Sequence, residues 1–83
     1  MKIRYFAWVR ERIGVAEEDI DLPAGIATVG ELVDWLATRG DDYAYAFENR
    51  KTIRTAIDKT HVRADAPIEG AAEIAFFPPM TGG

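Results

Sequence analysis

Only one stretch of this chain sustains a helical hydrophobic period. Val29, Leu32, Val33 and Leu36 fall at i, i+3, i+4 and i+7, so they share one face of an α-helix. Thr28 stands before them with Glu31 three residues on. That is a capping-box pattern, in which the Thr28 hydroxyl accepts from the Glu31 N–H and the Glu31 carboxylate reaches back. Arg39 is expected in the last turn, where positive charge suits the helix dipole, and Gly40 is expected to stop the helix in the left-handed conformation. Trp35 lies beside the stripe, as a flank covering the core edge. A chain of 83 residues makes one domain, and one amphipathic helix in it covers one face of one sheet.

The remaining segments read as strands. Met1–Val9 alternates, with Met1, Ile3, Tyr5, Ala7 and Val9 on one face and Lys2, Arg4, Phe6, Trp8 and Arg10 on the other. Arg10–Gly14 reads as a turn or short helical stretch. Glu18–Leu22 alternates again, with Ile20 and Leu22 inward, before Pro23-Ala24-Gly25 breaks it. Tyr43, Ala46 and Phe47 line one face of a short helical turn, and Asp41-Asp42 reads as a solvated loop. Thr52–Ile57 and Thr60–Arg63 read as strands around an Asp58-Lys59 turn. Glu73–Phe77 is the last strand, with Ile74 and Phe76 on one face and Ala75 and Phe77 on the other. The order is β-β-α-β-β-β in a two-layer α+β domain. The first and last strands are expected as a central parallel pair, because the helix crossover lies between them. This is the β-grasp arrangement.

Composition narrows the chemistry. The chain has no Cys, no Ser and a single histidine, His61. That excludes a Cys or Ser nucleophile, a disulfide framework and a Cys-based zinc site. The net charge of −4 argues against nucleic acid as a partner. Arg10, Arg12, Arg50, Lys51 and Arg54 are local positive exceptions. No apolar run approaches a membrane span, and Met1-Lys2-Ile3-Arg4 has no signal-peptide character, so a cytoplasmic location without membrane association is expected. A chain this poor in catalytic groups suits a carrier or partner better than a free-standing enzyme.

The sequence ends Phe76-Phe77-Pro78-Pro79-Met80-Thr81-Gly82-Gly83. Pro78 and Pro79 have no N–H, so they stop sheet pairing and stiffen the exit. Gly82 and Gly83 have no Cβ, so a narrow channel can close around their backbone. At about 3.3 Å per residue, a tail starting at Pro78 projects roughly 20 Å from the body. Residues 1–83 thus divide into a body, 1–77, and an extended tail, 78–83, suited to insertion into another protein's active site. If Ile3, Tyr5, Ile74 and Phe76 face the helix, then Phe6, Trp8 and Phe77 face outward beside the tail. Phe6, Phe77 and Met80 are expected to pack on partners, with Arg10 and His61 at the rim and Pro78, Pro79 and Thr81 in the inserted segment.

The β-grasp order, the length, the Phe76–Gly83 ending, Tyr5-Phe6-Ala7 with Val9-Arg10-Glu11, and Gly70 with Glu73-Ile74-Ala75 together resemble the small subunit of molybdopterin synthase. That family often has Asn where this chain has Asp58. The resemblance implies a ubiquitin-like sulfur carrier. A ubiquitin-activating-like adenylyltransferase would use ATP to adenylate the Gly83 carboxylate. A sulfur donor protein would convert the adenylate to a thiocarboxylate, so the chain itself binds no cofactor or metal. The large subunit, in a heterotetramer with two copies of each chain, would receive the tail and pass sulfur to cyclic pyranopterin monophosphate. Carriers for thiamine, cysteine or tRNA thiolation, a ubiquitin-like modifier joined to lysines through Gly83, and an interaction module with an incidental diglycine remain alternatives.

Overall fold

Strand β5, Glu73–Phe77, organises the fold because both of its neighbours are long-range. It pairs in parallel with β1, Lys2–Tyr5, and antiparallel with β3, Arg54–Ile57. Two short strands complete the sheet: β2, Glu17–Asp19, beside β1, and β4, Thr60–Val62, beside β3. The order is β2-β1-β5-β3-β4, with the first and last strands central and parallel as their long connection requires. The computed structural model describes residues 1–79; the expectations placed on Met80, Thr81, Gly82 and Gly83 lie outside them. No helix among the described residues is long and apolar enough to cross a membrane.

Helix α2, Val29–Ala37, crosses the inner face of the sheet and buries Val29, Leu32, Val33 and Leu36. The capping box is present: the Glu31 N–H donates to the Thr28 hydroxyl (3.2 Å), and the Thr28 N–H donates to the Glu31 carboxylate (3.1 Å). Opposite the stripe, Ile3, Tyr5, Ile74 and Phe76 are fully enclosed. The Phe76 ring stacks on Tyr5 (6.3 Å between centroids) and meets Phe47 edge-on (5.2 Å).

The first strand is shorter than its alternation implies. It ends at Tyr5, and Ala7–Ile13 form a second helix, α1. Ala7 takes a φ of 52°, turning the chain off the sheet in a conformation that a non-glycine residue pays for sterically. Val9 and Ile13, one helical turn apart, are the buried residues of α1, whereas Ala7, expected inward, is exposed. Ala7–Val9 continued the strand alternation, but the i, i+4 spacing of Val9 and Ile13 let packing against the core draw them into the helix that the Arg10–Gly14 stretch had suggested. Gly14 ends α1 in the left-handed conformation (φ 97°) and donates to the Arg10 carbonyl at 2.8 Å. Trp8 consequently leaves the sheet. The Arg12 guanidinium lies 4.5 Å over its ring and 4.0 Å over that of Tyr45, joining α1 to a third helix, α3, Asp41–Ala46.

Gly40 also departs from expectation. Its φ is 162°, an ordinary extended value, and it introduces α3; α2 ends earlier, with Thr38 as its C-cap. Asp41 and Asp42 form the first turn of α3 rather than a loop, where their charge complements the helix dipole. Arg39, beyond the helix, donates to the Glu18 carboxylate (3.2 Å) and lies over Tyr43. The Tyr5 and Tyr43 hydroxyls donate to the same carboxylate at 2.8 and 2.7 Å. Burial acts to raise the Glu18 pKa, but the hydrogen bonds from Tyr43, Tyr5 and Arg39 outweigh it and hold the group below the usual carboxylate range. Burial, then hydrogen bonding to that anion, pushes both phenols upward.

Asp58 and Lys59 turn the β3–β4 hairpin with φ of 47° and 71°, a two-residue turn whose twist matches the strands. The Asp58 carboxylate also accepts from the Ala72 and Glu73 N–H groups at 3.0 and 2.9 Å, tying the hairpin to the start of β5.

Candidate functional site at the end of the central strand

Phe76 and Phe77 show how β5 prepares its exit. Phe76 points into the core at 0% exposure; Phe77, one residue on, points to the outer face and is half-buried. Its ring lies 5.2 Å from that of His61, on β4. The last bond between the parallel pair runs from the Phe6 N–H to the Phe76 carbonyl, at 3.0 Å. Pro78 and Pro79 follow at once, half-buried, with no N–H to continue the ladder.

The register assembles the surface around that exit. Arg54 pairs with Phe77, Ala56 with both Ala75 and His61, and Arg4 with Ala75. The middle of the outer face is therefore an alanine floor, Ala56 and Ala75, both almost fully covered. Phe77 and His61 stand on one side of it. On the other, the Arg4 guanidinium lies 5.1 Å over the Phe6 ring and 3.7 Å from the Glu73 carboxylate. Phe6 is one of the few large hydrophobic residues left exposed, at 38%. The face combines aromatic side chains with arginines, residue types enriched at protein–protein interfaces.

Of the expected site residues, Phe6, His61, Phe77, Pro78 and Pro79 converge on this outer face and its exit. Arg10 is exposed on α1, its N–H bonded to the Phe6 carbonyl (3.4 Å), so it flanks the face from one helical turn away. Trp8, expected beside the tail, sits instead in the seam of α1 and α3. Arg4 and the two alanines were not singled out by sequence, and Arg54 stood out only as a local positive charge. Alternation already placed Arg4 on the Phe6 side, but cross-strand register, which a sequence does not display, was needed to align Arg54 with Phe77. Among the described residues no three His, Asp or Glu side chains cluster as a metal site.

Parallel central strands, one long helix on the inner face and a strand end leading into a diproline define a ubiquitin-like β-grasp protein. The likeness extends to solved structures. A putative molybdopterin converting factor, subunit 1, from Pyrococcus furiosus superposes with a TM-score of 0.73 at 27% identity over 95% of each chain. SAMP1 from Haloferax volcanii superposes at 0.72 with 26% identity over 100% of this chain and 98% of its own. The chain belongs to the ThiS family, whose model matches residues 3–83. Among curated relatives, the molybdopterin synthase sulfur carrier subunits of Escherichia coli and Haemophilus influenzae are 37% and 39% identical to it. Each alignment covers all of this chain and 99% of the relative.

Proposed function

We propose that this chain is the sulfur carrier subunit of a molybdopterin synthase, with the Gly83 carboxylate as the reacting group. The observation that carries the reading is full-length similarity to two such subunits, in a fold whose central strand leads directly into Pro78 and Pro79. The kinship implies a synthase large subunit as partner, and an end group of this kind calls for an adenylyltransferase and a sulfur donor protein.

The chemistry suits the end group. An α-carboxylate has a pKa of about 3.3–3.7 and is ionised at neutral pH, so it is a poor acyl donor. Its oxygen attacks the α-phosphate of ATP, pyrophosphate leaves, and the acyl-adenylate acquires a good leaving group. The terminal sulfur of a persulfide on the donor protein then attacks the acyl carbon and AMP departs; a second thiol of the donor cleaves the resulting acyl disulfide, leaving the thiocarboxylate on this chain and a disulfide on the donor. In the large subunit this sulfur passes to cyclic pyranopterin monophosphate and the carboxylate returns; two such transfers build the dithiolene. The carrier supplies the reacting group and the docking face around Phe77, and its partners supply the ATP site and the acid–base groups.

Intact mass of the chain after incubation with ATP, an adenylyltransferase and a sulfur donor tests this. The expected result is the replacement of one oxygen by sulfur, absent when Gly83 is deleted and reversed by the large subunit with the pyranopterin. Likeness to a structure described as small archaeal modifier protein 1 favours one alternative, conjugation to lysines. Isopeptide adducts on other proteins, without a sulfur-bearing species, would establish it instead.

A further inference from the structure

A cavity of about 410 Å³ opens between the N-terminal turn of α2 and the β3–β4 hairpin. Val33, Phe47 and Val62 contribute its apolar wall, and Arg50, Arg54 and Arg63 stand around it. Three arginines among the residues that line one cavity make its surroundings locally basic in a chain of net charge −4. Arg50 pairs with Asp34, and Arg54 donates to the Lys51 carbonyl, which leaves its charge uncompensated. Among the described residues neither Arg54 nor Arg63 forms an ion pair, although the exposed Asp65 lies two residues from Arg63.

The helix terminus is not the anion receptor here. The Val29 and Gly30 N–H groups already donate to the Ala66 and Ala64 carbonyls at 3.0 and 2.8 Å, and the Glu31 N–H to Thr28. Recognition of an anion therefore falls to the guanidinium forks, which suit carboxylates. A small inorganic ion would meet the rim and leave the apolar wall wet; a purely apolar ligand would leave the arginines unused. The cavity also borders β4, the edge of the sheet, which pairs on one side only within it, and an open edge accepts an extended segment.

We propose that this cavity docks an extended acidic segment of a partner protein, with one aromatic or leucine side chain in the pocket and flanking Asp or Glu residues on Arg54 and Arg63. Arg54 is the cross-strand partner of Phe77, so the segment lies next to the tail's exit. The inference does not rest on the sulfur chemistry and is tested on the unactivated chain.

The test is a titration of the isotopically labelled full chain, followed by amide NMR shifts, with the peptide acetyl-Asp-Glu-Asp-Phe-Val-Asp-Glu-amide. Controls are the same peptide with Lys at every acidic position, one with Ser for Phe, and sodium phosphate alone. Shifts should centre on Gly30, Val33, Arg54 and Val62, require both the acidic residues and the Phe, and weaken with added salt. Reversal of both charges, Arg54→Glu with Arg63→Glu, should weaken binding about tenfold or more. Ala64→Glu, at an exposed position of the rim, should do the same by a single change and serves as the second variant if the double one is unfolded. Shifts centred on Phe77 and His61, an equal response to phosphate or the Lys peptide, unchanged affinity in a folded variant, or no response at millimolar peptide would each overturn the proposal.

Discussion

Phe76 and Phe77 are adjacent and chemically identical, yet the pleat gives them opposite duties. Phe76 closes the core against Tyr5 and Phe47; removing its ring in Phe76→Ala leaves a cavity and should cost about 3–5 kcal/mol in denaturant unfolding. Phe77 lies on the outer face beside His61. Phe77→Ala should leave the melting temperature nearly unchanged while weakening binding to the synthase large subunit by about 1–3 kcal/mol, measured by calorimetry. Alternation within Glu73–Phe77 made this division readable in advance. Phe6 and His61 were expected on the same face; the alignment of Arg54 with Phe77 was not, because it depends on the pairing register of β3 with β5.

At the scale of elements, the helices differ in how much of themselves the sequence displays. Helix α2 states its start, its cap and its buried stripe within nine residues. Thr28→Ala should remove the reciprocal capping bonds and lower stability by about 1 kcal/mol, read from the shift in the unfolding midpoint. Helix α1 states much less. Its first three residues fit the alternation of the strand before them, and it begins from Ala7 in a left-handed conformation. Ala7→Gly should be neutral to stabilising by about 0.5–1 kcal/mol, because relief of the steric cost at positive φ offsets the greater chain entropy of glycine; a loss above 1 kcal/mol would show that no strain resides there. Gly40 carries the complementary lesson. Glycine after an apolar stripe suggests a left-handed stop, but α2 had already ended at Ala37, and Gly40 takes an extended φ that any residue adopts.

Across the whole molecule, Glu18 couples β2 to β1 and α3 through Tyr5 and Tyr43, and to Arg39 beyond α2. Its folded pKa lies below that of an unfolded glutamate, so its contribution to stability is present above about pH 4.5 and is lost as pH falls through the folded value. The unfolding midpoint of the native chain should therefore fall more steeply below pH 4.5 than that of Glu18→Gln. Tyr5 and Tyr43 have raised pKa values, so their contribution is present below about pH 10 and is lost above it, observable as phenol ionisation that accompanies alkaline unfolding. Signals local to the chain were decided by sequence alone: the α2 stripe, the Asp58-Lys59 turn, the division of β5 into inner and outer faces, and the diproline exit. Their physical causes act over one to seven residues, through backbone sterics, capping and side-chain period. Tertiary structure decided where the first strand stops, which way Trp8 faces, why Glu18 turns inward, and that Arg50, Arg54 and Arg63 share one cavity. Those outcomes depend on which distant surface supplies burial or a hydrogen-bond partner, and no local period encodes that choice.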